Sequence, residues 1–551
     1  MTQLQSALNL KKLRGYADWK LLLFLLLLLN VKLAVKIPAI ALIYLLQFDF
    51  KFGFKLKNSR LPLFYPLIIL VALAGFILNG HYSNFNYNLV FITGIGFWLI
   101  CILAIHQVKL SVEKNDTETI HRTIVLFFII NTIASLLNLA FIVIETHAVN
   151  PYTYQGQYQK YFISTGDFVK GITFDTSTTN AVLNAFGVIY FLTKKNMGMT
   201  LVCMIILLLT GSNFTNVFTL AILAFLFAFN SNRDQKSVII VCVSFLVVFM
   251  ARISPQNNNY VVNTLKTAFY QKQIISPWPQ NNHIPITRRP DSTLNPDEKR
   301  EKIATLYLDS IAALPINQIK HSKLPPGVLA TPEGKIIIPG PDVNAPAYQW
   351  LKTTPPEQKQ LVDFVNTNQA ALPISRSHQL SLTPGKVIGL LQTVNFLKYH
   401  PVKILTGAGV GNFSSKLTFR ATGLAFTGGY PKKYIYINPD FLSNHLDVYL
   451  SFFTQSAATH SLTNSPFSVY DQLLAEYGLL GLVALFVFYL GFFTGNYATL
   501  TYGVPILLLV LFIFFIDYWF EQLSVIVFFE LLLFLNIKEG KESISAKAYS
   551  K

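Results

Sequence analysis

Apolar runs recur along this chain at about the length needed to cross 30 Å of hydrocarbon. They fall at 20–35, 37–48, 62–78, 89–105 and 120–144, then at 179–193, 199–209, 214–229 and 238–251, and finally at 473–493, 504–516 and 519–535. The expected fold is therefore an all-α integral membrane protein with about twelve transmembrane helices. Composition agrees, since 52% of the residues are hydrophobic and only 13% are charged, a balance foreign to soluble domains. The first run leads straight into a second with no small-residue cleavage site between them, so it is expected to be retained as a helix.

The net charge of +17 does not signal nucleic acid, because the basic residues form no basic domain with interleaved aromatics. They fall where membrane topology puts them. Lys11, Lys12 and Arg14 precede the first run; Lys51, Lys55, Lys57 and Arg60 follow the second; Lys109, Lys114 and Arg122 follow the fourth. Lys194 and Lys195, Arg233 and Lys236, and Lys538 and Lys541 continue the alternation, whereas 79–88 and 211–213 hold no Lys or Arg. Lysine and arginine of short loops mark the cytoplasmic side, so both termini are expected there. Two segments are left outside, 145–178 and the large loop 252–465. The expected organisation is an N-terminal membrane bundle over 1–251, the extracytoplasmic loop over 252–465, C-terminal membrane helices over 466–537 and a cytoplasmic tail over 538–551. Cys101, Cys203 and Cys242 all lie inside apolar runs and read as small core residues, not as a disulfide or metal set.

The large loop divides by composition. From 254 to 384 it is rich in Pro, Asn and Gln, with short helices expected near 298–313 and a small hairpin near 328–338. Residues 385–399 then read as an amphipathic helix with Ile388, Leu391, Val394 and Leu397 on one face, stopped at His400-Pro401. Such a helix either packs on the protein or lies on the membrane surface. After the strand-like 402–405 comes Gly407-Ala408-Gly409-Val410-Gly411. This is a weak dinucleotide signal; it reads either as a tight turn or as a loop whose N–H groups converge on phosphate oxygens.

From here the residues resemble a family. Gly407, Gly409 and Asn412-Phe413, a polar loop with His460 and Asn464, and then Leu473, Glu476, Gly478 and Gly481 entering a membrane helix are similar to the signature region of the O-antigen ligase and polymerase superfamily. Gly171-Ile172-Thr173-Phe174 followed by Asn180-Ala181 resembles its outward segment before the middle spans. The resemblance implies a GT-C-like architecture and a metal-independent, inverting glycosyltransferase needing no cofactor. It also implies a donor glycan on undecaprenyl diphosphate and an acceptor that is another glycan or lipid A core. The reaction would take place at the outer face of the bacterial inner membrane, among membrane lipid and polysaccharide assembly proteins. The chain departs from the family's ligases in three places: Ser212-Asn213 where they carry an Arg after the Ser, Lys386 where they carry another Arg, and Phe467 where their histidine lies. These departures favour polymerase over ligase.

The implied chemistry needs cations for the diphosphate and a base for the acceptor hydroxyl. His460 is the candidate base, and otherwise a solvated loop histidine. Arg376, Lys386, Lys398 and Arg420 are candidate diphosphate donors, each also readable as a loop charge. Arg252, at the outer end of a span, either holds a lipid diphosphate or snorkels. Gly407, Gly409 and Glu476 complete the candidate set, with Glu476 equally readable as a helix-start carboxylate. Glu521 and Glu530 in the last run are expected to face the bundle, each with a partner. A lipid-linked glycan transporter and a non-catalytic envelope scaffold are the other function classes; no paired broken spans, the mark of many transporters, are found.

Overall fold

The computed structural model describes residues 15–30, 32–147, 149–153, 169–173, 176–254, 290, 329–330, 336–337, 384–423, 429–446, 448 and 465–549. Helices α1 (Trp19–Leu28) and α2 (Leu33–Leu46) form the expected opening pair, followed by α3 (Phe64–Leu78), α4 (Phe85–Lys114) and α5 (Thr117–Thr146). Next come α6 (Ser177–Thr193), α7 (Met197–Leu209), α8 (Asn213–Phe229) and α9 (Arg233–Val248), the last running on into a π turn, Phe249–Ile253. Outside this bundle are α10 (Gly385–Tyr399), α11 (Lys416–Ala421) and α12 (Pro439–Asn444). The chain returns through α13 (Val469–Val483), extended by a π turn, Ala484–Leu490, and ends in α14 (Gly503–Ile513), α15 (Trp519–Gln522) and α16 (Ser524–Tyr549). Among the described residues, four helices are long and apolar enough to cross a membrane, Phe85–Lys114, Thr117–Glu145, Arg233–Ile253 and Val469–Thr494; six more are apolar but shorter.

Local sequence explains the ends. Asn84 caps α4 by accepting from the N–H groups of Asn86 and Tyr87, Asp116 caps α5, and Asn232 with Gln235 forms a full capping box on α9. The last apolar run is not one helix, because Leu523 adopts φ 70° and splits it into α15 and α16. The expected hairpin near 328–338 is described only where Leu329–Ala330 pairs antiparallel with Ile336–Ile337, and the helices expected near 298–313 lie outside the described residues.

Two helices form the centre. In α6 every residue from Ser177 to Leu192 is buried, and α16 is enclosed from Ser524 to Leu535. A helix buried on all sides needs internal partners for its polar groups. In α6, Asn180 supplies them: its Oδ1 accepts from Asn131 Nδ2 (2.8 Å) and Asn184 Nδ2 (2.9 Å), while its Nδ2 donates to Ser135 Oγ and Val169 O (both 3.0 Å). Asn131 Oδ1 in turn accepts from Ile172 N at 3.2 Å, which pins the segment Gly171–Thr173 over α5 and α6. The Gly171 to Asn180 motif thus becomes an asparagine lattice. Cys101, Cys203 and Cys242 are buried and free, as core residues should be.

At one end of the bundle, Lys194 pairs with Glu539 at 2.6 Å and Lys538 donates to Val112 O at 2.9 Å. The α4–α5 turn, the end of α6 and the tail of α16 meet there. At the other end, Asn79 Nδ2 donates to Gly407 O (3.3 Å) and Asn86 Nδ2 to Ile435 O (2.9 Å). The described part of 384–446 therefore sits as a crown on the ends opposite the clustered lysines.

Two details of the crown differ from expectation. The buried face of α10 is Gly385, Gly389, Gln392, Thr393, Phe396 and Leu397, while Leu391 and Val394 are 43% and 48% exposed. The helix turns its small and polar side inward because buried polar groups wait there, and leaves Val387, Leu390, Leu391 and Val394 outside. Residues 402–405 are not strand-like; Pro401–Lys403 is a 3-10 turn, set by the fixed φ of Pro401.

Candidate functional site

The crown is fastened to α13 through a break in that helix. Gly478 has φ 66° and ψ −160°, so the helical bonds across it cannot form. The Gly407 loop replaces them one for one. Ala408 N donates to Ala475 O (2.8 Å) and Gly409 N to Glu476 O (3.1 Å), while Leu479 N donates to Ile404 O (2.7 Å) and Leu480 N to Leu405 O (3.1 Å). Four backbone groups freed by the kink, the carbonyls of Ala475 and Glu476 and the N–H groups of Leu479 and Leu480, are thereby paired again, as a break at a buried position requires. The close crossing also dictates glycine on both sides. A Cβ on Gly407 (φ +70°) would stand 2.4 Å from Glu476 C, and one on Gly478 (φ +66°) would stand 2.5 Å from Leu405 C.

Glu476 completes the fastening. Its residue is 1% exposed, and its carboxylate accepts from Gly411 N (2.8 Å), Phe413 N (3.2 Å) and Thr418 Oγ1 (2.6 Å). Together with Gly407 N on Lys403 O and Asn412 N on Gly409 O, nearly every N–H of the glycine loop is engaged within the protein. A carboxylate already fills the place where an anion would be cradled. The geometry of Gly407, Gly409 and Glu476 is that of a tight turn holding two segments together.

Beside this joint lies a buried polar cluster. Asp471 Oδ2 accepts from Ser414 Oγ at 2.7 Å, and Ser414 Oγ lies 3.0 Å from Tyr518 Oη. Fully buried His445 stacks on Phe413 (ring centroids 5.1 Å apart), with its Nδ1 3.0 Å from Gln392 Oε1. Gly389 faces this cluster, and a Cβ there would meet His445 Cε1 (3.4 Å) and Asp471 Oδ2 (3.5 Å) at ordinary contact distances. Lys386 closes the floor. The residue is half-buried, but its ammonium is enclosed, donating to Ser465 Oγ (3.1 Å), Ile516 O (3.0 Å) and Phe467 O. Burial pushes that ammonium down to about 7, against the opposing fields of Asp517 and Asp471.

Arg420 is placed differently. It lies on α11, whose Leu417 N donates to Glu521 Oε2 at 3.0 Å, and it is within electrostatic reach of that carboxylate. Its Nε is buried with no hydrogen-bond partner among the described residues. Glu521 also accepts from Gln472, and Glu530 accepts from Tyr65, so both acids of the last run have partners.

The structure thus brings Lys386, Gly407, Gly409 and Arg420 into one crown, fastened to Glu476 of α13. Lys398 is exposed on the surface of α10, and Arg252 is exposed on the π turn that ends α9. His460 and Arg376 lie outside the described residues. Phe467 packs on Phe419 and Tyr518 (5.8 and 5.3 Å between centroids). Sequence reasoning missed Asp471 and His445. Asp471 was signalled by a carboxylate just before the apolar run 473–493; nothing in the sequence marks His445. No family model, curated protein or solved structure matches the chain.

Proposed function

We propose that the chain is a glycosyltransferase of the surface-polysaccharide polymerase kind, moving a glycan from undecaprenyl diphosphate to an acceptor glycan at the outer face of the bacterial cytoplasmic membrane. In this reading the apolar runs make about twelve spans in a GT-C-like arrangement, with both termini cytoplasmic and the crown outside. The observation that supports it is Arg420, whose buried Nε lacks a hydrogen-bond partner among the described residues. A guanidinium held with a donor to spare suits a diphosphate oxygen. Lys386 has its three donors engaged and serves the floor of the site.

The roles follow from the reaction. The acceptor oxygen forms a bond to the anomeric carbon while the bond from that carbon to the diphosphate oxygen breaks, and the electron pair leaves with the diphosphate. Arg420 meets the charge that develops there. His460 takes the proton of the acceptor hydroxyl. The bonded floor of Ser414, Asp471, His445 and Gln392 holds α10 and α11 in place.

The test is gel analysis of surface polysaccharide from a deletion strain complemented with wild type, Arg420→Ala, Arg420→Lys or His460→Ala. The expected result is single repeat units on lipid A core for the deletion, Arg420→Ala and His460→Ala, with partial chain length for Arg420→Lys. Loss of all capped lipid A with long chains left on the carrier makes the chain a ligase. An unchanged ladder in the deletion strain refutes both and leaves a scaffold or transporter.

A further inference from the structure

Between α8 and α9 runs an apolar trough of ≈ 510 Å³, lined by Leu220, Ala224 and Phe227 on one side and by Ile239, Val243 and Val247 on the other. The volume lies in the range of roughly 300–1,000 Å³ usual for small-molecule sites. The trough is set into the outer surface of the bundle: Phe227 is 36% and Val247 59% exposed, and α9 with its π turn is one of the four helices long and apolar enough to cross a membrane. In a bilayer, lipid covers this face.

One end of the trough is charged. Phe227, which lines it, carries the Lys236 ammonium over its ring at 5.2 Å from the centroid. Arg233 lies one turn before Lys236 and is exposed, with Asp234 between them as the one acid. Gln235 Nε2 donates to Leu192 O at 2.8 Å, which sets the start of α9 against the end of α6, where exposed Lys195 adds a further cation. Heights along α9 agree. At 1.5 Å per residue, Ile239 stands about 5 Å above Lys236 and Val247 about 17 Å above it. The trough therefore begins just inside the cationic corner and extends for the depth of one leaflet.

We propose that this trough holds one acyl chain of an anionic glycerophospholipid, from the leaflet facing Arg233 and Lys236, whose phosphate is bound by those two side chains. Apolar walls supply the chain's contacts, and the cations select the headgroup. This lipid is distinct from any glycan donor and sits at the end of the bundle away from the crown.

The full chain, reconstituted in nanodiscs of phosphatidylcholine with a minor share of phosphatidylglycerol, is released into native mass spectrometry and its retained lipids are identified. Wild type is expected to keep phosphatidylglycerol. Lys236→Ala and Arg233→Ala should each lower its retention about fivefold without changing retained phosphatidylcholine, and Ala224→Trp, which fills the trough, should abolish it. If Ala224→Trp does not fold, the two surface variants still decide. Equal phosphatidylglycerol retention in wild type, Lys236→Ala and Arg233→Ala overturns the proposal. So does loss of both headgroups in Ala224→Trp alone, which means a neutral lipid. Displacement of phosphatidylglycerol by added polyprenyl phosphate also overturns it, making the occupant an isoprenoid.

Discussion

Replacing Glu476 tests the joint between crown and membrane most directly. Three donors converge on its carboxylate, from Gly411 N, Phe413 N and Thr418 Oγ1. Glu476→Ala leaves all three buried without an acceptor, and each such group costs about 1–3 kcal/mol. Allowing the loop to relax, the loss is near the lower end of the sum, about 4 kcal/mol. Glu476→Gln keeps one acceptor oxygen but turns an NH₂ toward a backbone N–H, so about half that loss is expected. The assay is built into the chain, because all three cysteines are free and buried. A thiol-reactive fluorophore on purified protein reports unfolding as these cysteines become accessible. At roughly 2 °C per kcal/mol for a large chain, Glu476→Ala should melt about 8 °C below wild type, with Glu476→Gln between them. A Glu476→Ala protein melting within about 1 °C of wild type refutes the clamp. If that protein is also inactive, the carboxylate acts on substrate and not on the loop.

Other consequences can be measured with the same protein. Burial holds the Lys386 ammonium near about 7 against 10.5 for the free side chain, so between these values the unfolded chain binds a proton that the folded one lacks. Stability should then rise with pH from neutral toward 10 through this group, and Lys386→Met should flatten the melting temperature across that window; an unchanged slope means that the group does not titrate there. Gly478→Ala and Gly407→Ala force a Cβ into opposing backbone at 2.5 and 2.4 Å and should cost about 3 kcal/mol or more. Gly198→Ala, with nothing within 4 Å, should melt like wild type, and equal melting of all three variants refutes the crossing. Trp98 Nε1 donates to Tyr477 Oη at 2.7 Å, so Tyr477→Phe should cost about 1–3 kcal/mol, whereas an unshifted melting curve shows that the indole finds another acceptor.

Many of the apolar helices were legible because hydropathy depends on composition alone. The runs at 62–78, 179–193, 199–209 and 214–229 coincide with α3, α6, α7 and α8 to within two residues at either end. Residues 385–399 were legible as a helix, since proline precedes it and His400-Pro401 ends it. Its buried face was not. Periodicity marks which residues are apolar, but the inward side of α10 was decided by Asp471 and His445, brought to it from distant parts of the chain. The glycines at 407 and 478 were recognisable as special, yet their reason is mutual. Each makes room for the other's backbone across more than seventy residues, and no local pattern encodes that. Glu476 was read as either a substrate-binding group or a helix-start carboxylate; it lies within α13, and its carboxylate accepts from the loop.

The swapped hydrogen bonds at Gly478 also set an order of assembly. A ribosome delivers Ile404 to Gly409 well before Ala475 to Leu480, so the early segment must wait, with its backbone groups on water, until α13 emerges. Leu417 waits longer still, for Glu521, and Lys386 waits for Ile516. Translation halted after α13 would leave the crown joined to the bundle but Arg420 without the carboxylate beside it. The site is finished only by the last helices to be inserted, so misassembled or truncated chains would reach the membrane with that carboxylate missing.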